Sequence, residues 1–82
     1  MNDEMQDIKK QIEWYELNTT GLRQINGGDA RAINIRPFKR KSMVRADIIL
    51  TTEDSYERHN NCEYHFDFKT NKIRPTMKEA KP

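Results

Sequence analysis

The stretch 62-CEYHFDFK-69 alternates apolar and polar residues without interruption, with Cys62, Tyr64, Phe66 and Phe68 on one side and Glu63, His65, Asp67 and Lys69 on the other. A period of two over eight residues identifies a β-strand with one face in a core and one in water. Such a strand needs neighbours for its backbone groups and a cover for its apolar face, and both are legible outward from it. Upstream, 43-MVRADIILTT-52 sets Val44, Ala46, Ile48 and Leu50 against Met43, Arg45, Asp47 and Ile49. In 30-ARAINIRPF-38, Ile33 and Ile35 alternate with Ala32, Asn34 and Arg36. Pro37 has no ladder donor, so this strand lies at an edge or ends near Arg36. Downstream, Thr70-Asn71 turns the chain into a short run around Ile73 that Pro75 stops.

The cover comes from the N-terminal side. In 3-DEMQDIKKQIEWYEL-17, Met5, Ile8, Ile12 and Tyr15 recur at spacings of three and four, lining one face of a helix. Asp3 and Glu4 suit the positive end of its dipole, and Gly21 supplies a left-handed stop after it. The expected fold is α+β: one N-terminal helix packed on a three- to four-stranded antiparallel meander, against a face formed by Ile33, Val44, Ile48 and Phe66. The segment 22-LRQIN-26 fits a helix or a short strand, and 26-NGGD-29 is a turn. The connector 53-EDSYERHNN-61 fits either a helical turn or a hairpin extended through Tyr56 and Arg58 around Asn60-Asn61. The pattern ends with residue 75, giving a single small domain over 1–75 and a mobile tail over 76–82.

Composition bounds what this domain can be. Only 34% of the 82 residues are hydrophobic, against roughly 45–50% in ordinary globular chains by a count that includes Gly. The core is therefore small, and self-association is one way to bury more. The single cysteine, Cys62, excludes an intrachain disulfide and fits a reducing compartment. There is no apolar leader and no run of 18 apolar residues, so a cytoplasmic protein with no membrane partner is expected.

The net charge of +2 hides segregated blocks. Residues 1–20 carry two basic and five acidic side chains, and residues 31–46 carry six basic and none acidic. Residues 47–67 carry one basic and six acidic. In the meander, Lys39, Arg40 and Lys41 form the loop between two strands, flanked by Arg36 and Arg45, so their charges are expected to converge on one hairpin tip. Convergent cations meet phosphates, each contact releasing condensed counterions, and Phe38 beside them can stack on an unpaired base. The expected function is that of a non-enzymatic regulatory protein binding a nucleic acid or a nucleic-acid-binding protein through this loop, with no cofactor and no small-molecule substrate. Solubility alone also accounts for basic hairpin loops, and the acidic block would repel a duplex if it lay on the same side.

The alternative is a protein-binding inhibitor, or a homodimer, using the outward face of the sheet. There Met43 and Ile49 would form an apolar centre among Asp47, Glu63, His65 and Asp67. A stand-alone, motif-poor chain of this kind is similar in size and composition to the accessory regulators and inhibitors of phages and mobile elements, which implies docking on a host macromolecule. Signals for catalysis rank last. Glu63, His65 and Asp67 share a face, as acid–base chemistry would need. His59, Cys62 and His65 fall short of a zinc set because a strand sends Cys62 and His65 to opposite faces. No phosphate-binding glycine motif is present.

Overall fold

The computed structural model describes residues 3–74. The domain limit expected at 75 and the tail over 76–82 lie outside the described residues. Helix α1 (Asp3–Thr19) is followed by a 3-10 turn (Leu22–Gln24) and four strands, β1 (Asp29–Phe38), β2 (Met43–Thr51), β3 (Tyr56–Asp67) and β4 (Lys72–Arg74). The strands form one antiparallel sheet in the order β1-β2-β3-β4. This is the expected α+β architecture, a helix covering one face of a four-stranded meander.

The helix is held as its periodicity predicts. Ile8 and Ile12 are fully buried, and Met5 and Tyr15 pack at the margin of the core. Opposite them the sheet offers Ala30, Ala32, Val44, Ala46, Ile48, Tyr64 and Phe66, all buried. Three of these are alanines, and the small side chains of Ala30 and Ala32 let the helix lie close to β1. Polar atoms on α1 also satisfy the sheet backbone, which a buried edge requires. The Glu13 carboxylate accepts the Ala32 N–H at 2.9 Å, and Gln11 Oε1 accepts the Ile73 N–H at 2.8 Å. Gln11 Nε2 donates to the Asn71 carbonyl at 2.7 Å. Glu13 thus protects part of the β1 edge from pairing with another chain.

Two expectations on strand orientation need correction. Ile33 was expected to face the helix and Ala32 to face outward; Ala32 is instead buried under α1, and Ile33 lies opposite Asp47 on the outer face. The cause is a bulge between Ile33 and Arg36, with Asn34 in the left-handed region at φ 53°. An extra residue in one strand reverses the facing of everything beyond it, so Ile35 does reach the core margin. A second bulge interrupts β3 between the partners of Ala46 and Ile48, where Asn61 has φ 59°. Asn60-Asn61 is therefore a bulge within a strand and not a hairpin turn. The turn lies at 52–55, where the Thr52 hydroxyl accepts the Asp54 and Ser55 N–H groups.

The segment 22–24 resolves as a 3-10 turn that buries Leu22. The following turn brings Gly28 against it: a Cβ on Gly28 would stand 2.3 Å from the Leu22 carbonyl oxygen. Gly28→Ala is expected to destabilise the fold by about 1–3 kcal/mol through this overlap. A urea titration with an unchanged midpoint would refute it.

Candidate nucleic-acid interface

The face of the sheet away from α1 is built around Asp47. This residue sits mid-way along central strand β2, opposite both bulges, and although it points outward only 7% of its surface is accessible. Its carboxylate accepts the Asn34 side-chain amide at 2.9 Å from β1 and the Asn61 backbone N–H at 2.9 Å from β3. Arg36 on β1 and Arg58 on β3 approach it at 3.4 and 3.5 Å. The two asparagines adopt left-handed backbone, which asparagine tolerates better than other non-glycine residues. The carboxylate takes up the polar groups that those conformations present. Its pKa is held below the ordinary aspartate range by the Asn34 and Asn61 hydrogen bonds, which outweigh its burial, and by the charges of Arg36 and Arg58.

The bulges decide what the outer face displays. Along β1, Arg31 and Ile33 face outward before the bulge, and Arg36 and Phe38 after it. Along β3, Tyr56 and Arg58 face outward before the bulge, and Glu63, His65 and Asp67 after it. Without them Arg31 and Arg36 would lie on opposite faces. With them, Arg31, Arg36, Arg45 and Arg58 share one surface, extended by Arg74 opposite His65 on β4. Arg36 and Arg45 are direct cross-strand neighbours. Like charges so placed repel, and each is steadied by a carboxylate, Arg36 by Asp47 at 3.4 Å and Arg45 by Glu63 at 2.9 Å. Arg45 also lies over the Phe38 ring, 5.5 Å from its centroid.

The tip of the hairpin is less convergent than its sequence implies. Lys39, Arg40 and Lys41 form a 3-10 turn closed by Ser42 at φ 50°. The turn directs Lys39 back toward the helix layer, where its ammonium lies 3.6 Å from Glu4 and over the Phe68 ring. Arg40 and Lys41 are exposed and have no ion pair among the described residues.

No known protein family matches the chain, and neither does any curated protein or solved structure.

The acidic residues that argued against a polyanion occupy other places. Those of α1 belong to the opposite layer, and Glu53 and Asp54 lie in the 52–55 turn. Glu57 is paired across from Leu50 on the helix side and bonds His59 at 3.1 Å. Asp67 accepts the Lys69 N–H at 2.9 Å in the turn to β4, and that bond is the main cause of its lowered pKa. Glu63 is bound to Arg45, so neither carboxylate beside His65 engages the imidazole, and the Glu63–His65–Asp67 row contains no proton-transfer contact among the described residues.

The apolar residues expected to centre a protein interface do not meet. Met43 lies between Phe38 and His65, Ile49 lies between Arg31 and Arg58, and Arg45 and Asp47 stand between the two along β2. Burial pushes the Cys62 thiol up, and the nearby Glu16 charge adds to the effect. The Tyr64 phenol is held protonated by burial and by its bond to Glu16. Tyr64 is a core residue, and Cys62 packs at the core margin. Among the described residues no helix is long and apolar enough to cross a membrane.

Arg31, Tyr56, Arg58 and Arg74 are the outer-face residues that period-two reading left unassigned. For Arg31, Tyr56 and Arg58 the signal is asparagine at 34 and at 60–61, a residue type prone to left-handed backbone set inside strand patterns, while Arg74 owes its place to the pairing of β4 with β3.

Proposed function

We propose that the protein is a non-enzymatic binding module whose partner is a nucleic acid, held across the outer face of the sheet and the adjoining 39–41 tip. The observation that carries this reading is the set of five arginines, 31, 36, 45, 58 and 74, on one sheet face, where Asp47 and Glu63 are held in ion pairs, Asp67 is turned to the Lys69 N–H, and Asp29 stands at the far end of β1. Arginine is suited to this work because its planar guanidinium pairs phosphate oxygens in bidentate fashion and stays charged. Arg36 and Arg45 are pre-positioned by their carboxylates, which lowers the entropy lost when they meet a phosphate. The tip cations Arg40 and Lys41 extend the same field beyond the end of the sheet. A protein partner is less well served, since Arg36, Arg45 and Asp47 separate the Phe38–Met43 pair from Ile33 and Ile49.

The test removes cations that hold nothing else in place. Arg31, Arg40 and Lys41 have no ion pair among the described residues, so replacing all three by Gln is expected to leave the melting temperature nearly unchanged. Affinity for oligonucleotides should fall steeply. The slope of log K against log salt should also flatten by roughly 2–3 units, at about 0.7 per lost contact on a single strand and 0.9 on duplex. Fluorescence anisotropy across a salt series measures both. A wild type that binds no oligonucleotide at low salt, or a triple variant that binds as well as wild type, would defeat the reading.

A further inference from the structure

The outer face carries two exposed aromatic rings besides its arginines, and their placement selects among nucleic acids. Phe38 pairs with Met43 at one end of β2, and Tyr56 pairs with Thr51 at the other. Phe38 is 38% exposed and Tyr56 64%, although rings of this size are ordinarily buried. Tyr56 also forms one wall of a depression of about 300 Å³, lined in addition by Asp29, Arg31, Ile49 and Thr51. Ile49 gives it an apolar floor, Arg31 a cation, and Asp29 and Thr51 oxygen acceptors at the rim. An apolar floor beside an exposed ring, with donors and acceptors at the edge, suits a flat heterocycle that stacks on one side and hydrogen-bonds along its margin.

Resting on the nucleic-acid reading above, we infer that the ligand is a single strand, with one unpaired base stacked on Tyr56 in the Arg31–Ile49 depression, a second near Phe38, and the intervening phosphates on the arginines. A duplex keeps its bases stacked on one another, so it would meet the arginines and leave both rings in water. The span sets a length. Met43 and Thr51 are eight positions apart on β2, about 26 Å at roughly 3.3 Å per residue. At about 3.4 Å per nucleotide, the rise of a fully stacked strand, that distance takes about eight nucleotides, and fewer where a base turns out onto a ring.

The test uses the full chain and labelled single strands of 4, 8 and 12 nucleotides, as DNA and as RNA. Matched 12-base-pair duplexes and inorganic polyphosphate serve as competitors. The 8-mer of at least one of the two chemistries is expected to bind at least tenfold more tightly than the 4-mer, with little further gain at 12, and to outcompete its duplex. Tyr56→Ala should weaken the 8-mer about 5- to 150-fold, the range of one stacked base, with the salt slope unchanged, while Tyr56→Phe retains affinity because the ring remains. Circular dichroism checks that both variants are folded. Duplex bound as well as single strand, polyphosphate competing equally per phosphate, or a neutral Tyr56→Ala would overturn the base-stacking inference and leave the phosphate-binding reading standing. Failure of every polyanion to bind at low salt would overturn both.

Discussion

Phe66→Ala is expected to abolish cooperative folding. The ring is fully buried, packs on Phe68 with centroids 4.9 Å apart, and sits in the cluster that includes Ile8, Ile12, Val44 and Ile48. Its β4 partner is Ile73, so its loss also undercuts the short edge strand. Truncating a buried phenylalanine costs about 3–5 kcal/mol. A domain of this size with so small a core has little more net stability than that. The measurement is a thermal melt followed by circular dichroism, with a urea titration beside it. Phe66→Leu provides the control, since it keeps most of the side-chain volume and should retain a cooperative transition at a lower temperature. A Phe66→Ala melt close to that of wild type would mean that the helix does not pack on this face of the sheet.

The second large effect is expected at Asp47. Asp47→Asn keeps the shape but removes the charge that Arg36 and Arg58 approach, and it turns one accepting oxygen into a donor facing the Asn34 amide or the Asn61 N–H. Groups in the middle of the sheet would then lack partners, a costly outcome for sites shielded from water. A fall in melting temperature on the order of 10 °C is expected. The pH dependence separates this from a general packing defect. Because the folded-state pKa of Asp47 lies below its unfolded value, its contribution is present above pH about 4 and is lost as pH falls through the folded pKa. Wild-type stability should therefore drop on acidification below about pH 4, and the variant should show a shallower acid limb, with Asp67, whose pKa is likewise lowered, contributing to what remains. Equal acid limbs in the two proteins would remove Asp47 from this role.

Asp47→Asn also distinguishes positioning from bulk charge in the proposed binding. The substitution makes the protein more positive, so electrostatics alone predicts tighter binding to a polyanion. If the carboxylate fixes Arg36 and Arg58 in place, affinity should fall instead, measured by anisotropy at a temperature where the variant is folded. Tighter binding would show that the arginines act without it.

How far each feature was legible in the sequence follows from how local its cause is. The periods of α1, β2 and the second half of β3 follow from side-chain spacing within one element. Ile8, Ile12, Val44, Ile48, Tyr64 and Phe66 were therefore readable as core, and helix-on-meander as the way to cover them. Arg36, Phe38 and Arg45 were readable as a cationic cluster because they are neighbours in the chain. The facing of Ile33 and Ala32 was not, since it depends on whether Asn34 adds a residue to the strand, and that is settled only when β1 aligns with β2. The diversion of Lys39 depends on Glu4, thirty-five positions earlier, being brought beside it by packing of the helix.

By itself, then, the sequence determined the elements, their order, the apolar face of each and the segregation of charge into blocks, because these depend on the spacing and type of residues along one segment. The tertiary structure decided which blocks face one another. Asp47 reads in sequence as one more outward acidic residue, yet between two bulges it becomes the buried acceptor for groups from both neighbouring strands. Around it Arg31, Arg36 and Arg58, scattered over 28 positions, come to share a surface with Arg45. Strand parity propagates from each bulge to the end of its strand, so two residues that violate the alternation reassign a whole face, and only the pairing of three strands reveals where they fall.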